Sequence, residues 1–161
     1  GFDAHIGDLF SKMIKRGLQG YVKITFRELF KYRAKTYNLE FNGTNIQRKA
    51  FLITVANAGQ YGNDFYIAPE ASMQDGLFHV AILKPFNFIT VFGLLTKILL
   101  KKAHHSHYIE TFVTSTIKIT REKEESIHFD GEPAFEGKEV VFKNYPASLH
   151  VIIGEKFKDP V

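Results

Sequence analysis

The sequence predicts a mainly β, α+β fold: a two-layer antiparallel β-sandwich with an N-terminal helical segment and one inserted helix. Three observations predict it. Apolar and polar residues alternate over several short segments, the spacing that buries one face of a strand. The 161-residue chain holds 16 phenylalanines and no tryptophan, and aromatic residues favour pleated, half-buried surfaces. Apolar residues recur at spacings of three and four in only two places. A chain of this length supports one core, so residues 1–161 read as a single domain.

The elements follow in order. Leu9, Phe10, Met13, Ile14 and Leu18 predict a helix within 8–33, broken into two pieces near Gly17 and Gly20. The second piece is expected from about Tyr21 to Tyr32. From Thr36 the period becomes two, with Tyr37, Leu39 and Phe41 on one face. Asn42-Gly43 marks a turn, with the return strand expected a few residues later. Lys49 to Ala56 reads as one apolar strand, and its run Phe51-Leu52-Ile53 predicts burial on both faces. A glycine-bearing polar loop spans 57–64, and a short extended piece from Phe65 to Ala68 ends at Pro69. A strand from Gly76 to Leu83 stops at Pro85, and Asn87 to Lys102 forms the second helical stretch. Short strands are expected over Thr114–Thr120, Ser126–Phe129, Lys138–Asn144 and Ser148–Ile153.

Composition narrows the function classes. Net charge is +4 and dispersed, which favours approach to a phosphate or an anionic membrane but argues against nucleic acid, where a clustered basic face is expected. The absence of cysteine excludes disulfides, thiolate metal sites and cysteine nucleophiles, and fits a reducing compartment. No run approaches the ~18 apolar residues needed to span a bilayer. The chain opens on Gly1-Phe2-Asp3 without a methionine, so it is expected to be part of a longer protein.

Four features carry candidate chemistry, and each has a plain structural reading beside it. Asp130-Gly131-Glu132 places two carboxylates around a glycine at a strand end. Such a pair binds a hard cation or divides acid and base roles, and Asp-Gly is also a common hairpin dipeptide. Asp75-Gly76 precedes a strand and is either a turn or a carboxylate for Mg²⁺ or Ca²⁺. Asn57, Gly59 and Gly62 make either a loop or a backbone cradle for phosphate, although no Lys-Ser/Thr follows as in a phosphate loop. The helix over 87–102 is apolar almost all round and ends in Lys101, Lys102, His104, His105 and His107. It is expected either to pack on the sheet or to meet a membrane. The histidines have only Glu110 near them in sequence, and read as a titratable loop rather than a metal site.

The order of these motifs is more specific than any one of them. Gly1-Phe2-Asp3-Ala4 is followed by the Asn57 loop, Ile67-Ala68-Pro69-Glu70-Ala71-Ser72, Asp75-Gly76-Leu77-Phe78 and then Asp130-Gly131-Glu132. Over nearly the whole chain this resembles the C-terminal domain of the bacterial diacylglycerol kinase family, which includes sphingosine and ceramide kinases. The resemblance implies a substrate-side β-sandwich domain, inactive alone. The family's N-terminal nucleotide domain, with its Gly-Gly-Asp-Gly-Thr motif, is absent from this chain. It implies Glu132 as proton acceptor for the lipid hydroxyl. Asp130 would support it or help orient the metal-bound phosphate. Asp75 would be a structural Mg²⁺ ligand with the carbonyls of Ser72 and Leu77. The loop of Asn57, Gly59 and Gly62 would lie toward the nucleotide, although it is poorer in glycine than is usual there. Asp3 would line the head-group pocket. ATP is the implied co-substrate, with a diacylglycerol or related lipid as acceptor and a cytoplasmic, peripherally membrane-associated location. A severed apolar surface would also favour a homodimer. The alternative from another class is a non-catalytic lipid-binding or membrane-docking module.

Overall fold

The computed structural model describes residues 1–12, 18–62, 65–87, 90–100, 102, 106–150 and 152. Strands β1 (Lys35–Phe41) and β2 (Thr44–Ala50) form a hairpin. Asn42 and Gly43 both sit in the left-handed region, at φ 48° and 71°, the two-residue turn whose twist matches the flanking strands. The return strand therefore starts at once, with Phe41 opposite Thr44, not a few residues later. These strands join β8 (Thr116–Arg121) and β11 (Glu139–Lys143) in a four-stranded antiparallel sheet ordered β11-β8-β1-β2.

A second antiparallel sheet is ordered β3-β6-β7, from Leu52–Ala56, Phe78–Leu83 and Ile109–Thr114. The single strand expected over Lys49–Ala56 is two: Lys49 and Ala50 pair with β1, and Leu52–Ala56 pair with β6. The chain changes sheets at Phe51. Its ring is drawn into an aromatic cluster with Phe2, Tyr32 and Phe86 at centroid distances of 4.6, 5.2 and 4.8 Å. The apolar run thus marks a corner between sheets. The strand buried on both faces is β6. Val80 and Ile82 pack with Leu39 and Ile117 of the large sheet, while Ala81 and Leu83 pack with Phe2, Ile6, Ile24 and Leu94 of the helices.

The expected sandwich is present, with helices covering the outer face of its smaller sheet. Phe41 stacks on Phe112 across the sheets at 3.8 Å. Glu110 on β7 accepts from Arg48 on β2 through both carboxylate oxygens at 2.9–3.0 Å, and Lys84 lies 3.2 Å away. The Arg48 guanidinium holds Glu110 below the usual carboxylate range. The Asn42 amide donates to Val113 O at 3.1 Å and accepts from the Thr114 hydroxyl at 2.9 Å, tying the first hairpin to β7.

Two helices precede the sheets, as expected, but with other bounds. α1 is Phe2–Ser11 and α2 is Leu18–Leu29. Gly20 lies inside α2, and the break expected at Gly17 falls outside the described residues. Glu28 pins the pair, 3.2 Å from His5 Nε2 and accepting from Arg27 Nε at 3.0 Å. α3 is Val91–Leu99, shorter than the stretch expected over 87–102, of which 88, 89 and 101 lie outside the described residues. Leu94 enters the core and Val91 is buried, while Phe92 is exposed. The helix therefore packs with one face. Of the histidines beyond it, 104 and 105 are outside the described residues, and His107 lies against Tyr108.

Two ribbon strands escape the sequence pattern. β4 (Gln60–Gly62) lies in the expected loop region and pairs with β5 (Phe65–Tyr66), the start of the expected extended piece. β10 (Glu132–Glu136) contains a proline and two glutamates, which are poor strand formers. It forms because the turn before it folds it back on β9 (Glu125–Phe129), and a two-stranded ribbon tolerates proline at its edge. The strand expected over 148–153 is not formed at 148–150, and residues 151 and 153 lie outside the description.

Candidate functional site

A cleft of about 1440 Å³ runs between the α1–α2 pair, the β9–β10 hairpin and the facing strands β3, β8 and β11. That exceeds the roughly 300–1,000 Å³ typical of small-molecule pockets. Its body is apolar, lined by Ile53, Val55, Ile119, Val140 and Phe142. Tyr37 also lines it, and burial pushes its phenol up to about 12, so the hydroxyl stays neutral. The Thr54 hydroxyl on the same wall is buried with no hydrogen-bond partner among the described residues.

One end of this apolar cleft carries carboxylates. Asp130 and Gly131 sit at φ 48° and 90° and form the two-residue turn that joins Phe129 to its partner Glu132. A side chain other than glycine at 131 would strain this turn. Asp-Gly is thus a hairpin turn, as its composition suggests, and that turn also lines the cleft with Asp130, Gly131 and Glu132. Arg121 fastens the other end of the ribbon. Its buried guanidinium donates to the carbonyls of Glu125, Glu136 and Gly137 at 2.7–3.0 Å. Bonds from a charged donor are the stronger kind, so the hairpin is held at its root.

Asp3 reaches the same ribbon from α1. His128 Nε2 lies 2.9 Å from Asp3 Oδ2, and the Gly131 N–H donates to His128 Nδ1 at 3.4 Å. These two contacts assign the proton to Nε2, which donates to Asp3. The imidazole bridges Asp3 to the turn bearing Asp130 and Glu132. The Asp3 carboxylate raises the His128 pKa, and burial opposes that rise. Side chains alternate along a strand, so His128 and Glu132, which faces Phe129, stand on opposite faces of the ribbon. Sequence reasoning missed His128. Its signal was the position two residues before Asp130 in a period-two segment, visible only once the hairpin and α1 are in place. Arg121 gave no signal, because its partners are backbone carbonyls.

The other candidates divide. Asn57 lines the cleft at the end of β3 and accepts from the Asn144 amide at 3.1 Å. Gly59 stands just behind, where a Cβ would come within 3.2 Å of the carbonyl oxygens of Ala68 and Pro69. Its smallness therefore serves close backbone packing. Gly62 belongs to β4, paired with Phe65, and is not among the cleft residues. Ser72, Asp75 and Leu77 are also outside the lining. Asp75 Oδ1 accepts from the Leu77 N–H at 2.8 Å, and Oδ2 lies 3.3 Å from His79 Nε2. One carboxylate with peptide carbonyls is an all-oxygen set that suits a hard cation keeping several waters. Among the described residues no group of three or more His, Cys, Asp or Glu side chains could hold a metal.

A family model described as the YegS C-terminal NAD kinase β-sandwich-like domain matches residues 1–153. The chain belongs to that family. No curated protein matches it. Solved structures share its fold. A protein from Bacillus anthracis str. Sterne, provisionally named a diacylglycerol kinase, is 16% identical with a TM-score of 0.55, covering 81% of this chain and 46% of its own. A second structure of that description and organism is 19% identical with a TM-score of 0.55, covering 79% and 43%. A third, named a diacylglycerol kinase from the same organism, is 15% identical with a TM-score of 0.50, covering 91% and 48%. This YegS-type domain thus spans less than half the length of the structures it matches.

Proposed function

We propose that this YegS-type domain is the substrate side of an ATP-dependent lipid kinase that transfers the γ-phosphate to a lipid hydroxyl, diacylglycerol or a related lipid. The observation that carries the reading is the cleft itself: Asp3, Asp130 and Glu132 line the same cavity as a long apolar body. A lipid has this division, a polar hydroxyl end on an apolar chain. The similar structures, named or provisionally named diacylglycerol kinases, favour the same reading.

In this reading the lipid chains lie along the apolar body of the cleft and the hydroxyl meets the Asp-Gly-Glu turn. A lipid hydroxyl is a weak nucleophile near neutral pH, so the in-line attack needs a positioned base. Glu132 takes that proton. Asp130 supports it or orients the phosphate being transferred. Asp3, held by His128, faces the head group. ATP is held mainly by a nucleotide domain of the parent protein, with the loop at Asn57, Gly59 and Gly62 toward it. Mg²⁺ is assigned to Asp75 and the carbonyls of Ser72 and Leu77, where it would supply positive charge that orders the turn. Positioning dominates phosphoryl transfer, so the domain alone is expected to be inactive.

Phosphate transfer from labelled ATP to diacylglycerol, measured for the parent protein and for this chain, tests the reading. Transfer by the parent and none by the chain is expected. Transfer by neither to any glycerolipid or sphingoid alcohol, with lipid still bound in the cleft, would favour the second reading, a non-catalytic lipid-binding module. The apolar body of the cleft fits that reading equally.

A further inference from the structure

We infer that the exposed face of α2 is the surface by which this chain docks on an anionic lipid bilayer. The inference rests on the lipid reading of the cleft for its purpose, but docking itself requires no catalysis.

Val22, Phe26 and Phe30 recur at intervals of four, from within α2 to the residue after it, and are 56%, 54% and 50% exposed. The Phe26 and Phe30 rings meet edge to face at 5.3 Å, making one apolar ridge. Lys23, Arg27 and Lys31 follow the same interval one residue on, so a basic stripe runs about 100° around the helix from the apolar one. Arg27 and Lys31 side chains are 57% and 67% exposed. From Leu18 to Arg33 the only acid is Glu28, buried on the Ile24 side and paired with Arg27 at 3.0 Å and Lys31 at 4.0 Å, so the three cations of the stripe keep a net positive charge. The opposite face bears the buried Ile24 and anchors the helix in the core.

Two arguments choose a bilayer as the occupant. Protein interfaces are depleted in lysine and retain aromatic residues, whereas apolar ridges flanked by Lys and Arg suit the headgroup boundary. The second is continuity with the cleft. Tyr21 and Thr25 of α2 line it, and Tyr21 packs edge to face on Phe10 of α1, another lining residue, at 5.4 Å. A bilayer on this face therefore lies beside the cleft wall. The hairpin also exposes Phe129 and Phe135, but Glu132 and Glu136 flank them, which disfavours an anionic surface. The helix expected over 87–102 either to pack on the sheet or to meet a membrane offers less, since α3 buries Val91 and Leu94.

Co-sedimentation with phosphatidylcholine vesicles, with and without phosphatidylglycerol, tests the inference. The chain should pellet only with the anionic vesicles. Lys23→Glu combined with Lys31→Glu should weaken binding by about 25-fold or more, because each cation near an anionic surface contributes about 1 kcal/mol, or about fivefold. Phe26→Ser with Phe30→Ser should also abolish it, and Phe92→Ser on α3 should leave it unchanged. Circular dichroism checks folding. If the aromatic pair proves structural, the exposed lysine pair still decides. Absence of binding by the wild-type chain overturns the inference. So does wild-type binding by the lysine variant, or a dimer that Phe26→Ser with Phe30→Ser dissociates while vesicle binding persists. Loss of kinase activity in the parent with vesicle binding intact would overturn the catalytic reading alone.

Discussion

Replacing His128 with alanine removes the side chain that joins α1 to the Asp-Gly-Glu turn. The bond to Asp3 at 2.9 Å is charge-assisted, and both side chains are mostly enclosed, at 22% and 17% exposure. A hydrogen bond to a charged partner contributes ~1.5–3 kcal/mol. The 3.4 Å contact with Gly131 adds little. The expected loss is ~2 kcal/mol, a fall in melting temperature of about 4–8 °C for a domain of this size. The loss should also depend on pH. The carboxylate of Asp3 raises the folded pKa of His128 above 6.5; Asp130 adds to the rise, while burial and the Gly1 amino group oppose it. A raised pKa stabilises the fold fully below 6.5, and that part fades as pH climbs through the folded value. Urea denaturation of both proteins at pH 6 and pH 9 measures it. The gap between wild type and His128→Ala should be larger at pH 6. A gap that is constant, or wider at pH 9, would refute the assigned pairing of His128 with Asp3.

Three further outcomes follow from the packing. Ile82→Ala, at a fully buried position between the sheets, should cost ~2–5 kcal/mol by chemical denaturation. Glu110→Gln should cost about 1 kcal/mol near neutral pH, and its difference from wild type should shrink as pH falls below 4.5, because the lowered pKa of Glu110 gives stability that acid removes. Gly59→Ala should cost ~1–3 kcal/mol by overpacking, since the carbonyl oxygens of Ala68 and Pro69 would stand 3.2 Å from the new methyl; an unchanged melting temperature would contradict that packing.

The sandwich was legible where one physical signal dominated. The alternation of Tyr37, Leu39 and Phe41 marks β1, and Phe78–Leu83 reads as a strand because its apolar residues fill two cores. The failures arise where tertiary contacts override local pattern. Phe51 looks like strand interior but serves as the corner, because its ring joins Phe2, Tyr32 and Phe86 from distant segments. Glu132–Glu136 looks like loop and becomes a strand through the turn before it. At the site, Asp3 and Glu132 line one cleft although 129 residues separate them in number. Motif order suggested that pairing, and spacing could not. His128 and Arg121 act through partners that only the fold supplies, which is why neither stood out.

The proposed role of Glu132 is tested most directly by phosphate transfer in the parent protein carrying Glu132→Gln, with diacylglycerol as acceptor and lipid binding measured alongside. Glu132 is exposed at the cleft edge, so the amide should fold and bind lipid normally. Loss of a positioned base should slow turnover by ~10²–10⁴-fold. Turnover near that of the wild type, with lipid still bound, would contradict the account of this turn as the place where the hydroxyl loses its proton.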